Sequence, residues 1–182
     1  MKINIQVTIK IILVTIALFA ASCALQKKIK TVEEPNTYMQ EIYTSLVNDM
    51  SNEVEVAIVE DSVRIIFVSG ILFKVNEAII NNELHPYFKR FTKVLNQYTN
   101  TTILITGHTD NTGDDKLNID LSQKRADNTK KLLENFGLDG ERIYTLGHGA
   151  TLPIASNNTS TGRAINRRVE FIILYNYNSN NE

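Results

Sequence analysis

The sequence predicts an α+β domain, read in the order βαβαββ, with one sheet covered by two helices. Three observations carry this: runs of hydrophobic alternation with period 2, two apolar stripes at helical spacing, and about 130 residues to hold them. The 182 residues are 43% hydrophobic, 21% charged and 8% aromatic, as in one ordinary globular domain with some appended sequence. No internal repeat competes with that organisation.

The elements follow in chain order. Met39, Ile42, Leu46, Val47 and Met50 recur at helical spacing, which predicts a short amphipathic helix over 37–50, packed on its own domain or on a partner. Val54, Val56 and Ile58 alternate, and after Glu60-Asp61-Ser62 the pattern resumes from Val63 to Val68, as two strands joined by a tight turn. Ser69-Gly70 then predicts a bulge or bend. Leu84, Phe88, Phe91 and Leu95 form a helical stripe, and Pro86 confines its start to Asn82 or Glu83. The β-branched run Thr101–Thr106 predicts a buried strand that feeds an exposed loop from Gly107 through Asp115. A helix over 118–136 carries Leu121, Ala126, Leu132, Leu133 and Phe136 and stops at Gly137. Arg142–Leu146 reads as a strand closed by Gly147-His148-Gly149, Ala150–Asn166 as a long polar loop, and 168–174 as a strand whose first half is half-exposed. The tail over 176–182 is too polar to pack.

The N-terminus reads as an address. Lys2 and Lys10 precede an apolar stretch from Ile11 to Ala21, and Ala20-Ala21-Ser22 precede Cys23, the only cysteine. A hydrocarbon core needs about 20 apolar residues to span it, and Gln26-Lys27-Lys28 end this segment first. The segment Ala20–Cys23 resembles the lipobox of bacterial lipoproteins, with Ala20 in place of the usual leucine. That resemblance implies a signal peptide over 1–22, lipidation of Cys23 (palmitate included) and a polar spacer leading into the 37–50 helix. Each buried methylene contributes about 0.8 kcal/mol, so three acyl chains would hold the protein in a leaflet permanently. Losing Lys2 and Lys10 takes the 19 basic residues to 17, against 20 acidic ones. A mildly acidic chain without a basic block excludes nucleic acid as a partner bound by bulk charge.

The functional signal lies in Thr106–Gly113 and Asn118–Ala126. Asp110 just past a strand and Arg125 early in the next helix could converge on a zwitterionic group, Asp110 facing an ammonium and Arg125 a carboxylate. On the residues alone, a salt bridge between the two, or an Asp110 that only terminates its strand, is expected ahead of a ligand site. Gly107 and Gly113 allow close backbone approach. No two of His85, His108 and His148 have the spacing of a helical zinc site, and Asp114-Asp115 completes no calcium loop, so no metal or cofactor is expected. His108 reads as a strand-end structural residue, and Ser122, outside any nucleophile elbow, as bonding near a helix N-terminus. Arg163, Arg167 and Arg168 form either a ligand rim or structural salt bridges, and Asn157 and Asn166 fix turns of the long loop.

At these residues the chain closely resembles the OmpA C-terminal domain family, which includes peptidoglycan-associated lipoproteins. The matching pieces are Gly107-His108-Thr109-Asp110 with Gly113, Asn118, Leu121-Ser122, Arg125-Ala126, Gly147, Gly149, Gly162-Arg163 and Asn166-Arg167-Arg168-Val169-Glu170, in order and at family spacing. The resemblance implies a mixed sheet covered on one face by two helices, and a domain over 51–175. It also implies noncovalent binding of peptidoglycan through the diaminopimelate of its stem peptide. Asp110 and Arg125 would carry the ligand's charged groups, helped by Thr109, Asn111, Thr112 and Gly113, with Phe73, Asn118 and Leu121 around them. Lys74 departs from the Asp or Asn common in the family, so that either Asn76 substitutes for it or the ligand is held by one group fewer. Together these predict a nonenzymatic outer-membrane lipoprotein with its domain in the periplasm, whose partners are peptidoglycan, the membrane and other envelope proteins. A flagellar stator subunit would need a longer, charged membrane helix. A wall hydrolase would need a second carboxylate or an activated nucleophile. A partner-docking module without wall binding would use the 37–50 helix or a sheet edge.

Overall fold

The computed structural model describes residues 35–50, 54–73 and 77–176. The expected signal peptide over 1–22, Cys23, the expected spacer as far as residue 34, Lys74, Asn76 and the tail beyond Asn176 lie outside the described residues.

The first strands form where alternation is strongest. β1 (Glu55–Val59) and β2 (Ser62–Val68) make an antiparallel hairpin closed at the Val59–Ser62 pair, with Glu60 at φ 53° in its turn. Val63, Ile65 and Phe67 are buried on one side of β2, as period 2 requires. The other strands are β3 (Thr101–His108), β4 (Ile143–Gly149) and β5 (Arg168–Tyr175), and the sheet order is β1-β2-β5-β3-β4. Only the β3–β4 pair is parallel, so the sheet is mixed, as expected.

One face of that sheet holds the core. α3 (His85–Leu95) and α4 (Asp115–Asn135) are the two expected helices, and α1 (Pro35–Met50) packs against α3 and the β1–β2 side of the sheet. Met39, Ile42, Leu46 and Met50 of α1 are buried in the same apolar cluster as Phe67, Phe88, Phe91, Ile103, Ile105 and Phe171. Phe67 and Phe88 stack with centroids 5.5 Å apart. The 35–50 helix therefore packs on its own domain and adds a third long helix to the covered face.

Several boundaries differ from the sequence reading. Ser69-Gly70 opens a single helical turn, α2 (Ser69–Leu72), rather than a bulge, tied down by a 2.7 Å bond from the Ser69 amide to the Arg167 carbonyl. α4 begins three residues early because Asp114 caps it, accepting from the Leu117 amide at 3.0 Å. The long loop over 150–166 contains a further helix, α5 (Ser160–Asn166), capped by the Thr159 hydroxyl. The first half of β5 is buried on both faces: Arg168, Val169, Glu170 and Phe171 are all covered. Arg168 reaches the Leu152 carbonyl at 3.0 Å and so draws the 150–159 loop over the sheet face that lacks helices.

Candidate functional site

The site is built where α4 presses on the sheet. Two glycines allow that approach: a Cβ on Gly107 of β3 would lie 2.1 Å from the Ser122 carbonyl oxygen, and one on Gly147 of β4 would lie 2.4 Å from the Gln123 amide. Ser122 is not an N-terminal capping residue. It sits in the third turn, donates to the Ile119 carbonyl and accepts from the Gly149 amide at 2.9 Å, stitching α4 to β4. The buried side of α4 is consequently largely polar, with Asn118, Ser122, Arg125 and Thr129 around the small Ala126 before Leu133.

β3 delivers Asp110 to this junction. Thr109 continues past the strand end, its amide donating to the Gly149 carbonyl at 2.9 Å, and both Thr109 and Asp110 are buried. The loop then turns back on the carboxylate. Asp110 Oδ1 accepts from the Thr112 amide at 2.9 Å and from the Thr112 hydroxyl, while Oδ2 accepts from Arg167 Nη1 at 2.6 Å. Gly113 supports the turn at φ +86°, and Asn118 Nδ2 holds it from α4 by donating to the Thr112 carbonyl at 3.0 Å. Burial pushes the Asp110 carboxyl up, but the bonds from Thr112 and Arg167 outweigh it and hold the group below the usual aspartate range.

Arg125 stands opposite, without a carboxylate among the described residues. Its guanidinium lies 5.0 Å over the Phe73 ring, and its Nε donates to the Glu77 carbonyl at 3.0 Å, yet the residue is only 4% exposed. Burial and the charge of Arg167 lower its pKa while Asp110 raises it, so the three charges share one neighbourhood. The alternative left open by the sequence, an Asp110–Arg125 salt bridge, does not form. Arg167 takes that place, and the buried guanidinium of Arg125 faces no paired anion among the described residues.

The expected residues thus divide. Asp110, Thr112, Gly113, Asn118, Arg125 and Phe73 are joined by contacts or by backbone geometry at one place. Thr109 supports it from the strand end, Asn111 is exposed in the loop, and Leu121 is half-buried one turn before Arg125. Arg167, which the sequence alone leaves open as rim or structural residue, is a member of the site through its 2.6 Å pair with Asp110. Its signal is the Arg167-Arg168 doublet before a strand, which sends two guanidiniums to different partners. Arg168 pairs with Glu170 at 2.6 Å on the open sheet face, and Arg163 donates to the Asn157 carbonyl at 2.8 Å. Asn166 fixes the loop as expected, its Oδ1 accepting from the Ile154 and Ala155 amides at 2.9 Å. His108 is buried, with Nε2 3.1 Å from the Thr106 hydroxyl and 3.7 Å from Glu170. Among the described residues, no group of three His, Cys, Asp or Glu side chains is placed to hold a metal ion.

The fold is a mixed sheet with one helical face, and past the end of β3 it brings the fixed charges of Asp110, Arg125 and Arg167 into one neighbourhood. Residues 72–167 match the OmpA family, and the chain belongs to it. It is 42% identical over 100 residues to the outer membrane protein Omp38 of Acinetobacter baumannii, a match covering 54% of this chain and 28% of that protein. It is 34% identical over 105 residues to the peptidoglycan-associated lipoprotein of Buchnera aphidicola subsp. Baizongia pistaciae, covering 58% of this chain and 60% of that one. Among solved structures, the cell wall anchor of the T6SS from Pseudomonas aeruginosa superposes with a TM-score of 0.66 at 30% identity, covering 74% of this chain and 96% of that one. The chain matches less than two thirds of the length of either curated relative.

Proposed function

We propose that this protein binds peptidoglycan noncovalently through the diaminopimelate of the stem peptide, without catalysing its turnover. Lipidated Cys23 would hold it in the outer membrane with the domain in the periplasm, tying membrane to wall. The observation that carries the reading is the buried Arg125 guanidinium, fixed by Phe73 and Glu77 and without a paired anion among the described residues, beside an ionised Asp110. Burying a lone guanidinium is costly unless a partner arrives, and only arginine presents a planar fork to a carboxylate. The names of the Buchnera lipoprotein and the Pseudomonas cell wall anchor support association with the wall.

The arrangement assigns roles. Arg125 takes the carboxylate of the ligand's amino-acid end. An ionised carboxylate has about four acceptor positions, and Asp110 uses three on Thr112 and Arg167, so one remains for the ammonium. Thr112 and Arg167 keep Asp110 ionised and oriented, so that it and Arg125 present opposite charges to the two groups of a zwitterionic end. Many such sites along one polymer act together, so each can be weak.

The test is co-sedimentation of residues 24–182 with purified peptidoglycan, with free diaminopimelate or cadaverine added as competitor. Pelleting that diaminopimelate reverses and cadaverine, a diamine without the carboxylate that Arg125 takes, does not is the expected result. Pelleting indifferent to both would overturn the ligand assignment, and a protein that stays in the supernatant would overturn wall binding.

A further inference from the structure

The sheet face without helices carries a second polar cluster that the wall site does not use. Arg64 of β2, Arg168 and Glu170 of β5, and Thr106 and His108 of β3 form its floor, and the loop residues Leu152, Pro153 and Ile154 form its roof. The roof is held in place, since Arg168 donates to the Leu152 carbonyl and Asn166 receives the Ile154 and Ala155 amides. Between floor and roof lies a cleft of about 410 Å³, within the range of small-molecule sites.

Its chemistry is two-sided. Leu104, Ile172, Leu152 and Ile154 supply apolar walls, and Leu152 and Ile154 are 52% and 46% exposed although both line the cleft. On the floor Arg64 holds Glu170 through Nε at 2.9 Å and Nη2 at 2.8 Å, and Arg168 Nε holds it at 2.6 Å. Two guanidiniums therefore face one carboxylate. His108 adds no charge at neutral pH, and its Nδ1 is buried without a hydrogen-bond partner among the described residues. His148 stacks on it with centroids 5.2 Å apart. Arg168 spends its other nitrogens on the Asn166 and Leu152 carbonyls, whereas Nη1 of the partly exposed Arg64 has no partner among the described residues.

We propose that this cleft is a second ligand site, taking a single-chain amphiphilic carboxylate. Its head group meets Arg64 Nη1 and its chain lies between Leu104 and Ile172 on the sheet and Leu152 and Ile154 on the roof. The excess positive charge selects an anion, and the apolar walls select a chain over a bare ion.

Decanoate, kept below its micelle concentration, is the probe, titrated into residues 24–182 by calorimetry, with decanol as the uncharged control. Saturable binding of decanoate is expected, at least about tenfold tighter than decanol, because a charge-assisted bond is lost with the head group. Arg64→Gln should weaken decanoate about tenfold or more. Leu152→Glu, at an exposed position that does not threaten the core, should weaken it similarly by placing a carboxylate at the mouth. Both variants should still pellet with peptidoglycan, which reports that they are folded. Absence of saturable binding, equal affinity for decanol, or undiminished affinity in both variants would overturn the proposal.

Discussion

Two arginine–carboxylate clusters among the described residues share the adjacent Arg167 and Arg168 between them, and they are finished differently. On the open sheet face Glu170 receives Arg64 and Arg168, and Arg168 spends its remaining donors on the Asn166 and Leu152 carbonyls. At the end of β3, Asp110 receives one guanidinium, that of Arg167, and Arg125 is buried against Phe73 and Glu77 with no anion among the described residues. The first cluster is closed around its carboxylate and pins a loop. The second is open, in that Arg125 has no carboxylate partner among the described residues. Burial of an arginine does not distinguish the two, since Arg125 and Arg168 are both covered. The presence or absence of a carboxylate partner does.

The largest expected effect breaks the closed cluster. Glu170→Ala leaves Arg168 and Arg64 without their carboxylate and should cost about 3–5 kcal/mol of folding stability, read by urea denaturation. An effect under about 1 kcal/mol would mean the cluster is hydrated and not closed.

Next comes pH. Burial, then the charge of Arg168, pushes His108 down to about 4 from an ordinary 6.5, although Glu170 pulls the other way. The unfolded chain therefore binds the proton first. Stability is fully present above about pH 6.5 and falls as pH drops toward 4, by about 3 kcal/mol at most from this group. Denaturation midpoints measured from pH 7 to 4.5 should slope in wild type and flatten in His108→Gln. Glu170 acts in the same direction at lower pH. Burial raises its pKa, but its bonds to Arg64 and Arg168 lower it further, so its contribution is lost only as pH falls below the ordinary glutamate range.

Gly107→Ala forces a Cβ into the Ser122 carbonyl and should cost about 1–3 kcal/mol while displacing α4 from the strand that carries Asp110. Weakened wall binding with a retained circular-dichroism spectrum would confirm that the packing of α4 sets the site. The smallest change sharpens the open cluster: Thr112→Val removes one donor from Asp110 and should weaken wall binding by about 0.5–1.5 kcal/mol, roughly 2- to 12-fold, in a co-sedimentation titration.

The hairpin, the strands and α3 are legible in the sequence because alternation and the Leu84–Leu95 stripe report burial directly. The start of α4 is not, because its buried side carries Asn118, Ser122, Arg125 and Thr129, and a hydrophobic stripe cannot mark a polar contact surface. α5 is hidden for a related reason. It is seven residues long, and its signal is the Thr159 cap rather than an apolar pattern. Asp110 and Arg125 are legible as chemistry but not as geometry. Only the fold reveals that Arg167 arrives from 57 residues away to occupy Asp110 and leave Arg125 open.

If the difference between the clusters is functional, the open one binds the wall and the closed one does not. The direct measurement is co-sedimentation of residues 24–182 with peptidoglycan for wild type, Asp110→Ala, Arg125→Ala and Arg64→Gln, each checked for folding by circular dichroism. Wild type and Arg64→Gln should pellet while the folded Asp110 and Arg125 variants remain in solution, with affinity lower by at least about tenfold. Equal pelleting of wild type and folded Arg125→Ala would contradict the assignment of the open cluster as the wall site.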